Sequence, residues 1–553
     1  MNKEKLTLTA KVTHKRPLKK DSFTDIPDLI IPLESKHVSD GIGYDWKNWD
    51  CENPIVINCP TGAGKNYFIE NILIRHAIYH DETILVCSNR VTLDLSIKQR
   101  IGERLNLYKN YNNAALHGIS RYGNIYIYSY QQLARAINTD EFQTLKFDYA
   151  VFDEVHYFTS DSAFSIGTGR LINKIPKTFE SSVRIYMSAT IDEILPYIYE
   201  NENNVKKLFR HVITGRPAPI LPKFYRMKPD YSHVRLRFYT DDGIAENIIE
   251  QSNDKSIIFV DNKTYGKKLH EKFQDSLYID AETKSQSPET IDNLVTSERF
   301  EEKLLIATAV FENGCNICDL DVKNVFIQDI NPTSILQMAG RRRILIDDDA
   351  FNLYIKVPDI NLLSKRLTKL NRILELIELS EDEPTEFMRW MIKEDWVSHD
   401  IKRLVYVHDE KYCFDWLTVE TLKNRLNYLY EIFHLIDKNG AAAYCYKISN
   451  DLFDIEFVNI MLLQNDEDEI DNIVEYLHSL INKHINITEF HSIFSKFKLW
   501  YTENFGPSKA DNRGKNRQQN IDYNLFNNRL QEYNLPFVWR KENESYVLYE
   551  FKI

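Results

Sequence analysis

The feature that most constrains the fold of this chain is an apolar segment, residues 54–58, that runs into a glycine-rich loop and then into a helical pattern. The glycines allow backbone N–H groups to close around phosphates at the start of the helix, where the helix dipole also favours anions. Lys65 is in the position that reaches the terminal phosphates. The predicted nucleotide-binding residues are Pro60, Thr61, Gly62, Ala63, Gly64, Lys65 and Asn66.

Asn66 departs from the usual form of this loop, in which a Ser or Thr hydroxyl at that position binds a magnesium ion. An amide oxygen can also coordinate the ion or hold a metal-bound water. We therefore expect Asn66 to be a magnesium ligand and expect ATP hydrolysis. The sequence leaves the rate of that turnover open.

Two carboxylates, Asp153 and Glu154, follow a buried strand that is predicted over residues 148–152. Ligands of an open parallel sheet bind at the carboxyl ends of its strands, so we expect both carboxylates beside the glycine-rich loop. Asp153 would hold the magnesium ion, and Glu154 would orient or deprotonate the attacking water. A solvated strand end is the alternative reading of the pair, and the loop upstream weakens it.

Short β-branched runs alternate with helical patterns from residue 54 to residue 318, which is typical of parallel sheets with crossover helices. The first series of predicted strands covers residues 54–58, 83–87, 124–128, 148–152 and 183–187. The second series covers residues 256–260, 303–307, 323–327 and 351–356. The two series predict two α/β domains of similar construction.

Further short motifs follow these strands in a fixed order, and in that order the sequence resembles the superfamily 2 helicases of the DExH type. Besides the glycine-rich loop and Asp153-Glu154-Val155-His156, the resemblance rests on Cys87-Ser88-Asn89-Arg90, Tyr128-Ser129-Tyr130-Gln131-Gln132-Leu133, Ser188-Ala189-Thr190, the strand 256–260, Ala307-Thr308-Ala309-Val310-Phe311-Glu312-Asn313-Gly314 and Gln337-Met338-Ala339-Gly340-Arg341-Arg342-Arg343. The resemblance implies two tandem RecA-like parallel-sheet domains that bind ATP and Mg²⁺ between them.

The resemblance also implies roles for residues outside the loop. Coupling of the ATP site to strand movement would fall to His156, Ser188 and Thr190. Contacts to nucleic acid would be made by Arg90, Gln132 and Thr308, and a contact to the nucleotide by Gly314.

The last of these motifs would face the γ-phosphate from the second domain with Gln337, Arg341 and Arg343, the arginines acting as fingers. The common family pattern puts its second arginine at the position of Ile344. Either Arg343 takes that role at a shorter spacing or one family arginine is missing here.

Recognition of the adenine base is not specified by the motifs. No Gln precedes Gln99, so the adenine-reading Gln that DEAD-box RNA helicases carry upstream of the loop is absent from the sequence. Tyr44, Trp46 or Trp49 could stack on the base instead, and packing of these aromatics is the alternative.

Length and composition limit the classes of protein to which this chain can belong. A chain of 553 residues predicts two to four domains, and 43% hydrophobic with 27% charged residues is typical of a folded globular protein. The net charge of −12 excludes a uniformly basic surface, although nucleic-acid binding needs only a local positive groove. The seven cysteines form neither a disulfide framework nor a zinc cluster, and no apolar run approaches the roughly eighteen residues that span a bilayer. We therefore expect a cytoplasmic protein without membrane or lipid partners.

The C-terminal part reads differently from the two α/β series. Helical patterns follow residue 358, and the last helices precede two alternating strands, which favours a winged-helix-like module. The basic residues Lys509, Arg513, Lys515 and Arg517 are expected to contact nucleic acid, with a disordered loop as the alternative. The predicted divisions are a basic arm at 1–45, a first RecA-like domain at 46–215, a second at 216–360, a helical accessory domain at 361–480 and the winged-helix-like module at 485–553.

The sequence therefore favours an ATP-dependent helicase or translocase, with DNA preferred over RNA as the track and protein partners from a replication, repair or mobile-element system. Two alternatives remain open: a nucleotide-gated clamp on nucleic acid or protein with weak ATPase activity and no unwinding, and an RNA helicase. A nuclease is not predicted, because the pairs His399-Asp400 and His408-Asp409 lack the further ligands of a metal-dependent phosphohydrolase.

Overall fold

The computed structural model describes residues 30–550 except 90, 108–115, 117, 161–166, 215–221, 287–292, 295, 309–315, 347–348, 384, 388, 390–403, 409–410, 456–459, 464–472, 488, 491–492, 495–496, 498–499, 501–522, 534 and 543–544. Two parallel sheets dominate this part of the chain, followed by a helical region and a small C-terminal unit. The predicted α/β fold with two tandem parallel-sheet domains is confirmed.

The first sheet contains the glycine-rich loop. Its strands are β1 Ile30–Leu33, β2 Ile55–Asn58, β3 Ile84–Ser88, β4 Arg121–Tyr122, β5 Ile125–Ser129, β6 Tyr149–Asp153, β7 Val183–Ser188 and β8 Lys223–Met227. They lie in the order β1-β8-β2-β7-β6-β3-β5-β4, and all neighbours are parallel except β4 and β5. Because β2, β7 and β6 are adjacent, the segments that follow them meet at one edge of the sheet.

The second sheet is built in the same way. The remaining strands of the chain are β9 Val234–Tyr239, β10 Lys255–Phe259, β11 Ser276–Ile279, β12 Leu304–Ala307, β13 Val322–Ile327, β14 Phe351–Lys356, β15 Val405–His408, β16 Lys411–Phe414, β17 Met461–Leu463, β18 Phe537–Glu542 and β19 Ser545–Glu550. The second sheet has the order β11-β12-β10-β13-β14-β9-β17, and its described pairs are all parallel. All nine strands predicted from the sequence are present.

Helices cover both faces of each sheet. In the first domain they are α1 Val38–Ile42, α2 Lys65–Tyr67, α3 Arg75–His80, α4 Val91–Leu105, α5 Tyr130–Ala136, α6 Asp140–Gln143, α7 Tyr157–Ser160, α8 Thr168–Thr178 and α9 Leu195–Thr214, with a π-helical stretch at Phe68–Ile74. In the second domain they are α10 Asp242–Gln251, α11 Lys263–Lys272, α12 Ala281–Gln286 and α13 Pro332–Ala339. Each sheet is buried between two apolar clusters, one on each face.

The region after the second sheet is mainly helical, as predicted. Its helices are α14 Ile360–Asp382, α15 Trp416–Asn439, α16 Ala441–Ile448, α17 Ile473–Leu480 and α18 Tyr523–Glu532. β15 and β16 form one antiparallel hairpin, and β18 and β19 form the predicted terminal hairpin. The basic residues Lys509, Arg513, Lys515 and Arg517 lie outside the described residues, and the winged-helix assignment stays a prediction.

Three strands lie on the other side of the boundaries drawn from the sequence. β1 falls within the predicted basic arm but pairs with β8, and β8 falls within the predicted second domain but belongs to the first sheet. β17 falls within the predicted accessory domain and extends the second sheet beside β9. These strands have three to five residues, too few for alternation to show against their neighbours. The basic residues that indicated the arm lie outside the described residues; they are Lys11, Lys15, Arg16, Lys19 and Lys20.

Among the described residues, no helix combines the length and the apolar character that crossing a bilayer requires.

Candidate active site between the two sheets

The glycine-rich loop leaves the end of β2 and turns into α2. Gly62 and Gly64 have φ values of 91° and 81°, a left-handed region that side chains other than glycine rarely adopt. Cys59 N donates to Ser188 O at 3.2 Å, and buried Lys65 donates from Nζ to Cys59 O, also at 3.2 Å. The loop is therefore tied to β7 at its start and closed over by its own lysine.

The segment before β2 supports this loop. Val38 N donates to Ala63 O at 2.9 Å, and the imidazole of His37 lies 3.7 Å from where a Cβ on Gly64 would stand. Of the three aromatics considered for base stacking, Trp46 and Trp49 are buried in the core, whereas Tyr44 is 80% exposed. The burial of the two tryptophans excludes them as stacking partners and leaves Tyr44.

The carboxylate pair lies beside the loop. Asp153 is the last residue of β6, Glu154 follows it with a positive φ of 52°, and the two are only 1% and 2% exposed. Burial raises the pKa of the Cys59 thiol to about 11; the charge of Lys65 opposes this rise, and the charges of Asp153 and Glu154 add to it. These charged groups therefore surround the same point at the edge of the sheet.

The three predicted coupling residues form one network next to Glu154. His156 Nδ1 lies 3.3 Å from Glu154 Oε2 and 3.1 Å from Ser188 Oγ. Ser188 Oγ accepts from Thr190 N at 3.0 Å. Val155 N also donates to Met187 O at 3.1 Å, so the loop after β6 is bound along the end of β7. A change at the carboxylates can reach the segment after β7 through these contacts.

The last motif lies at the end of α13 and faces the first domain. Arg341 and Gln337 are fully buried, and Arg341 Nη2 donates to Gln337 Oε1 at 3.0 Å. A Cβ built on Gly340 would lie within 3.0 Å of Thr61 Oγ1 and 3.2 Å from Thr61 Cβ. The second domain thus touches the glycine-rich loop through a residue that has no side chain.

Arg343 also reaches the loop. Its Nη1 lies 3.5 Å from where a Cβ on Gly62 would stand, and its Nε and Nη2 donate to Asn316 Oδ1 at 3.0 and 2.7 Å. Asn316 was not among the residues selected from the sequence. The one sequence signal for Asn316 is its position two residues after the motif that ends at Gly314.

Arg342, between the two, has a different environment. Its guanidinium forms a buried two-pronged pair with Asp349, with Nη2 to Oδ1 at 2.7 Å, and Nε donates to Val322 O at 3.2 Å. Arg342 is therefore bound within the second domain. Of the three adjacent arginines, Arg343 is the one that lies against the loop, and Arg341 is held by Gln337.

The other predicted site residues that the structure describes are Gln132, Thr308 and Asn66. The side chain of Gln132 accepts from Ser129 N at 2.8 Å and completes a capping box at the start of α5, so its oxygen is engaged in the helix cap. Thr308 is buried directly after β12, and Asn66 is half-buried in α2. Arg90 and Gly314 lie outside the described residues.

Three solved structures share a low similarity with the chain. The structure of Mss116p bound to ssRNA and AMP-PNP has 14% identity and a TM-score of 0.40 and covers 61% of this chain and 79% of that one. Mycobacterium smegmatis helicase Lhr bound to ssDNA and AMP-PNP has 16% identity, a TM-score of 0.37, and coverage of 58% and 46%. S. cerevisiae dbp5 bound to gle1 and ip6 has 15% identity, a TM-score of 0.36, and coverage of 57% and 81%.

Family models match both sheet domains, whereas no curated protein matches the chain. The model described as "Type III restriction enzyme, res subunit" matches residues 34–193, which include the glycine-rich loop and the carboxylate pair. The model described as "Helicase conserved C-terminal domain" matches residues 242–343, which end at the three arginines. The first match covers the domain with the glycine-rich loop and the carboxylates, and the second covers the domain with the three arginines. The chain is therefore a superfamily 2 helicase-like protein.

Proposed function

We propose that the chain is an ATP-dependent motor that moves along or unwinds nucleic acid, with DNA as the preferred track. The observation that carries the proposal is the contact between the two domains at the glycine-rich loop, where Gly340 lies against Thr61 and Arg343 lies against Gly62. A nucleotide bound by this loop would touch both domains. Its γ-phosphate would therefore control how firmly they hold together.

The first-domain wall supplies the hydrolytic groups. Lys65 exchanges its contact with the Cys59 carbonyl for the terminal phosphates, and Glu154 orients or deprotonates the attacking water. The buried Asp153 carboxylate and the Asn66 amide offer oxygen ligands beside the same loop, which is the ligand chemistry that Mg²⁺ prefers. When bound, Mg²⁺ would neutralise charge on the phosphates.

The second-domain wall supplies positive charge. Arg341, held by Gln337, and Arg343, held by Asn316, would stabilise the charge that develops on the γ-phosphate. Arg343 would thus take the role that the family pattern gives to the position of Ile344. Loss of the γ-phosphate would remove the group that joins the walls, and the cleft could then open.

Movement along a strand would follow from repeated opening and closing. The network of His156, Ser188 and Thr190 connects Glu154 to the end of β7, and Thr308 lies at the corresponding edge of the second sheet. Contacts with a strand should be mainly to its phosphates, so binding should weaken with salt and depend little on sequence.

Asn66 favours the second candidate function, a nucleotide-gated clamp with little turnover, because it replaces the hydroxyl that normally binds the magnesium ion. Steady-state turnover separates the two functions. A motor needs hydrolysis that nucleic acid stimulates, whereas a clamp needs only nucleotide-dependent binding.

The test is ATP hydrolysis by the purified chain with no polymer, single-stranded DNA, duplex DNA or single-stranded RNA, beside the Glu154→Gln variant. We expect single-stranded DNA to stimulate hydrolysis and Glu154→Gln to abolish it while ATP binding is retained. If RNA stimulates hydrolysis as strongly as DNA, or more strongly, DNA is not the preferred track. ATP binding without turnover under every condition would reject the motor in favour of the clamp.

A further inference from the structure

Helix α15 touches both sheet domains. Near its start, Asp415 Oδ1 accepts from Gly169 N at 2.9 Å, and Leu417 is buried in an apolar cluster of the first domain. Further along, Leu429 and Ile432 are buried in a cluster of the second domain. With 24 residues the helix is about 36 Å long, so one rigid element joins the two walls of the proposed ATP site.

The contact of α15 with the first domain is close and combines hydrogen bonds with the apolar packing of Trp416 and Leu417. A Cβ on Gly169 would lie 2.5 Å from Asp415 Oδ1 and 2.6 Å from Trp416 Nε1. About two turns further on, Asn424 donates from Nδ2 to Tyr197 OH at 3.1 Å. Hydrogen bonds of this kind are lost after small displacements, whereas apolar burial tolerates them. The apolar part of the contact is also larger with the second domain, where it includes Leu426, Tyr428, Leu429, Tyr430, Ile432, Phe433 and Ile436, than with the first, where it includes Trp416 and Leu417. If the domains separate, α15 should therefore stay with the second domain and leave the first.

Glu193 connects this contact region to the carboxylates. Thr159 Oγ1 lies 3.3 Å from Glu193 Oε2 and 3.0 Å from His156 O, within a buried turn of α7. His156 in turn lies 3.3 Å from Glu154 Oε2. Three consecutive contacts thus lead from Glu193 to the residue that would activate water.

Arg425 brings the charge of α15 to bear on Glu193. Burial raises the pKa of Glu193, while the Thr159 hydroxyl, the Arg425 guanidinium and His156 act in the opposite direction. Arg425 is part of α15 and the other groups belong to the first domain. Asn424, the residue before Arg425, donates to Tyr197 OH of α9 at 3.1 Å, so release of α15 would break this contact and withdraw the Arg425 guanidinium from Glu193.

We propose that Glu193 is a positioning residue for ATP hydrolysis, and that docking of α15 on the first domain determines how firmly Glu193 holds the Glu154–His156 loop. The proposal rests on the proposed ATPase function. Hydrolysis would then depend on closure of the two domains in two ways: through the arginines, and through the contact between α15 and the first domain.

The kinetic test compares Glu193→Gln, which keeps the shape and removes the charge, with Arg425→Gln. Both should lower kcat, Glu193→Gln by about tenfold, with the KM for ATP changed less than about twofold, because the loop that binds ATP is untouched. Glu141→Gln, an exposed glutamate in α6, is the matched control and should keep the original kcat. A kcat for Glu193→Gln equal to that of the unmodified protein overturns the proposal.

Hydrogen exchange gives a readout that does not need activity. The amides of Thr159 and Ser160 donate to His156 O at 3.0 and 2.9 Å, and their exchange should speed up in Glu193→Gln. Gly169→Ala, which forces α15 away from α8, should have the same effect although it leaves Glu193 in place. Unchanged exchange in both variants refutes the link. If the unmodified protein has no ATPase activity, the motor is rejected, and exchange alone decides whether Glu193 and α15 are coupled.

Discussion

Replacement of Gly340 by alanine tests whether the two domains must meet at the glycine-rich loop. The backbone of Gly340, at φ −73° and ψ −4°, suits alanine, so the second domain should fold as before. The added Cβ would nevertheless lie within 3.0 Å of Thr61 Oγ1 and 3.2 Å from Thr61 Cβ. The steric conflict therefore exists only when the domains are closed.

The size of the effect follows from the size of the overlap. Forcing one methyl group into a close-packed contact costs about 1–3 kcal/mol, which lowers the population of the closed state about 5- to 150-fold. Because ATP can still bind the loop of the first domain, Gly340→Ala should reduce kcat by a factor in this range with little change in KM. Thermal unfolding should show the stability of the unmodified protein.

A double variant that combines Gly340→Ala with Thr61→Ala should partly relieve this steric conflict. It removes Oγ1, the nearest atom, and leaves the 3.2 Å approach of the two Cβ positions. The double variant should therefore be faster than Gly340→Ala alone, measured as steady-state ATP hydrolysis with saturating single-stranded DNA. Two outcomes would falsify the closed contact as a requirement for hydrolysis. One is an unchanged kcat in Gly340→Ala, and the other is a double variant that is no faster than Gly340→Ala.

Three further changes test other parts of the site. Asn316→Ala removes the acceptor that holds Arg343 and should lower kcat about tenfold without a change in thermal stability; full activity would show that Arg343 needs no such support. Asp349→Asn leaves the Arg342 guanidinium buried without its ion pair and should destabilise the fold by about 3–5 kcal/mol in thermal unfolding at pH 7. Burial raises the pKa of Asp349, but the Arg342 hydrogen bond and charge lower it more, so the stability from this pair is present above about pH 4 and lost as the pH falls through the lowered pKa. An equal acid sensitivity of Asp349→Asn would contradict that assignment. Tyr44→Ala should raise the KM for ATP about 2- to 12-fold, the value of one aromatic stacking contact, and an unchanged KM would exclude Tyr44 as the base platform.

The sequence determined the features that short stretches of chain encode. Nine strands, the glycine-rich loop and the two carboxylates at the end of β6 were predicted at their observed places. Each depends on a local pattern: alternation or continuous apolarity for strands, left-handed glycines for the loop, and polar residues at a strand end for the site. The alternation of strands and helices also predicted two parallel sheets, because parallel neighbours require crossover connections.

The tertiary structure alone decided how distant segments meet. Thr61 and Gly340 touch although hundreds of residues separate them, and no local pattern marks either as half of a contact. The same holds for the contacts of Asn316 with Arg343 and of Asp349 with Arg342. These contacts give adjacent arginines different environments, which their sequence alone does not distinguish. The short strands β1, β8 and β17 belong to their sheets because they pair with strands elsewhere in the chain. Pairing between strands leaves no signature in the sequence of either strand alone, so it could not be predicted.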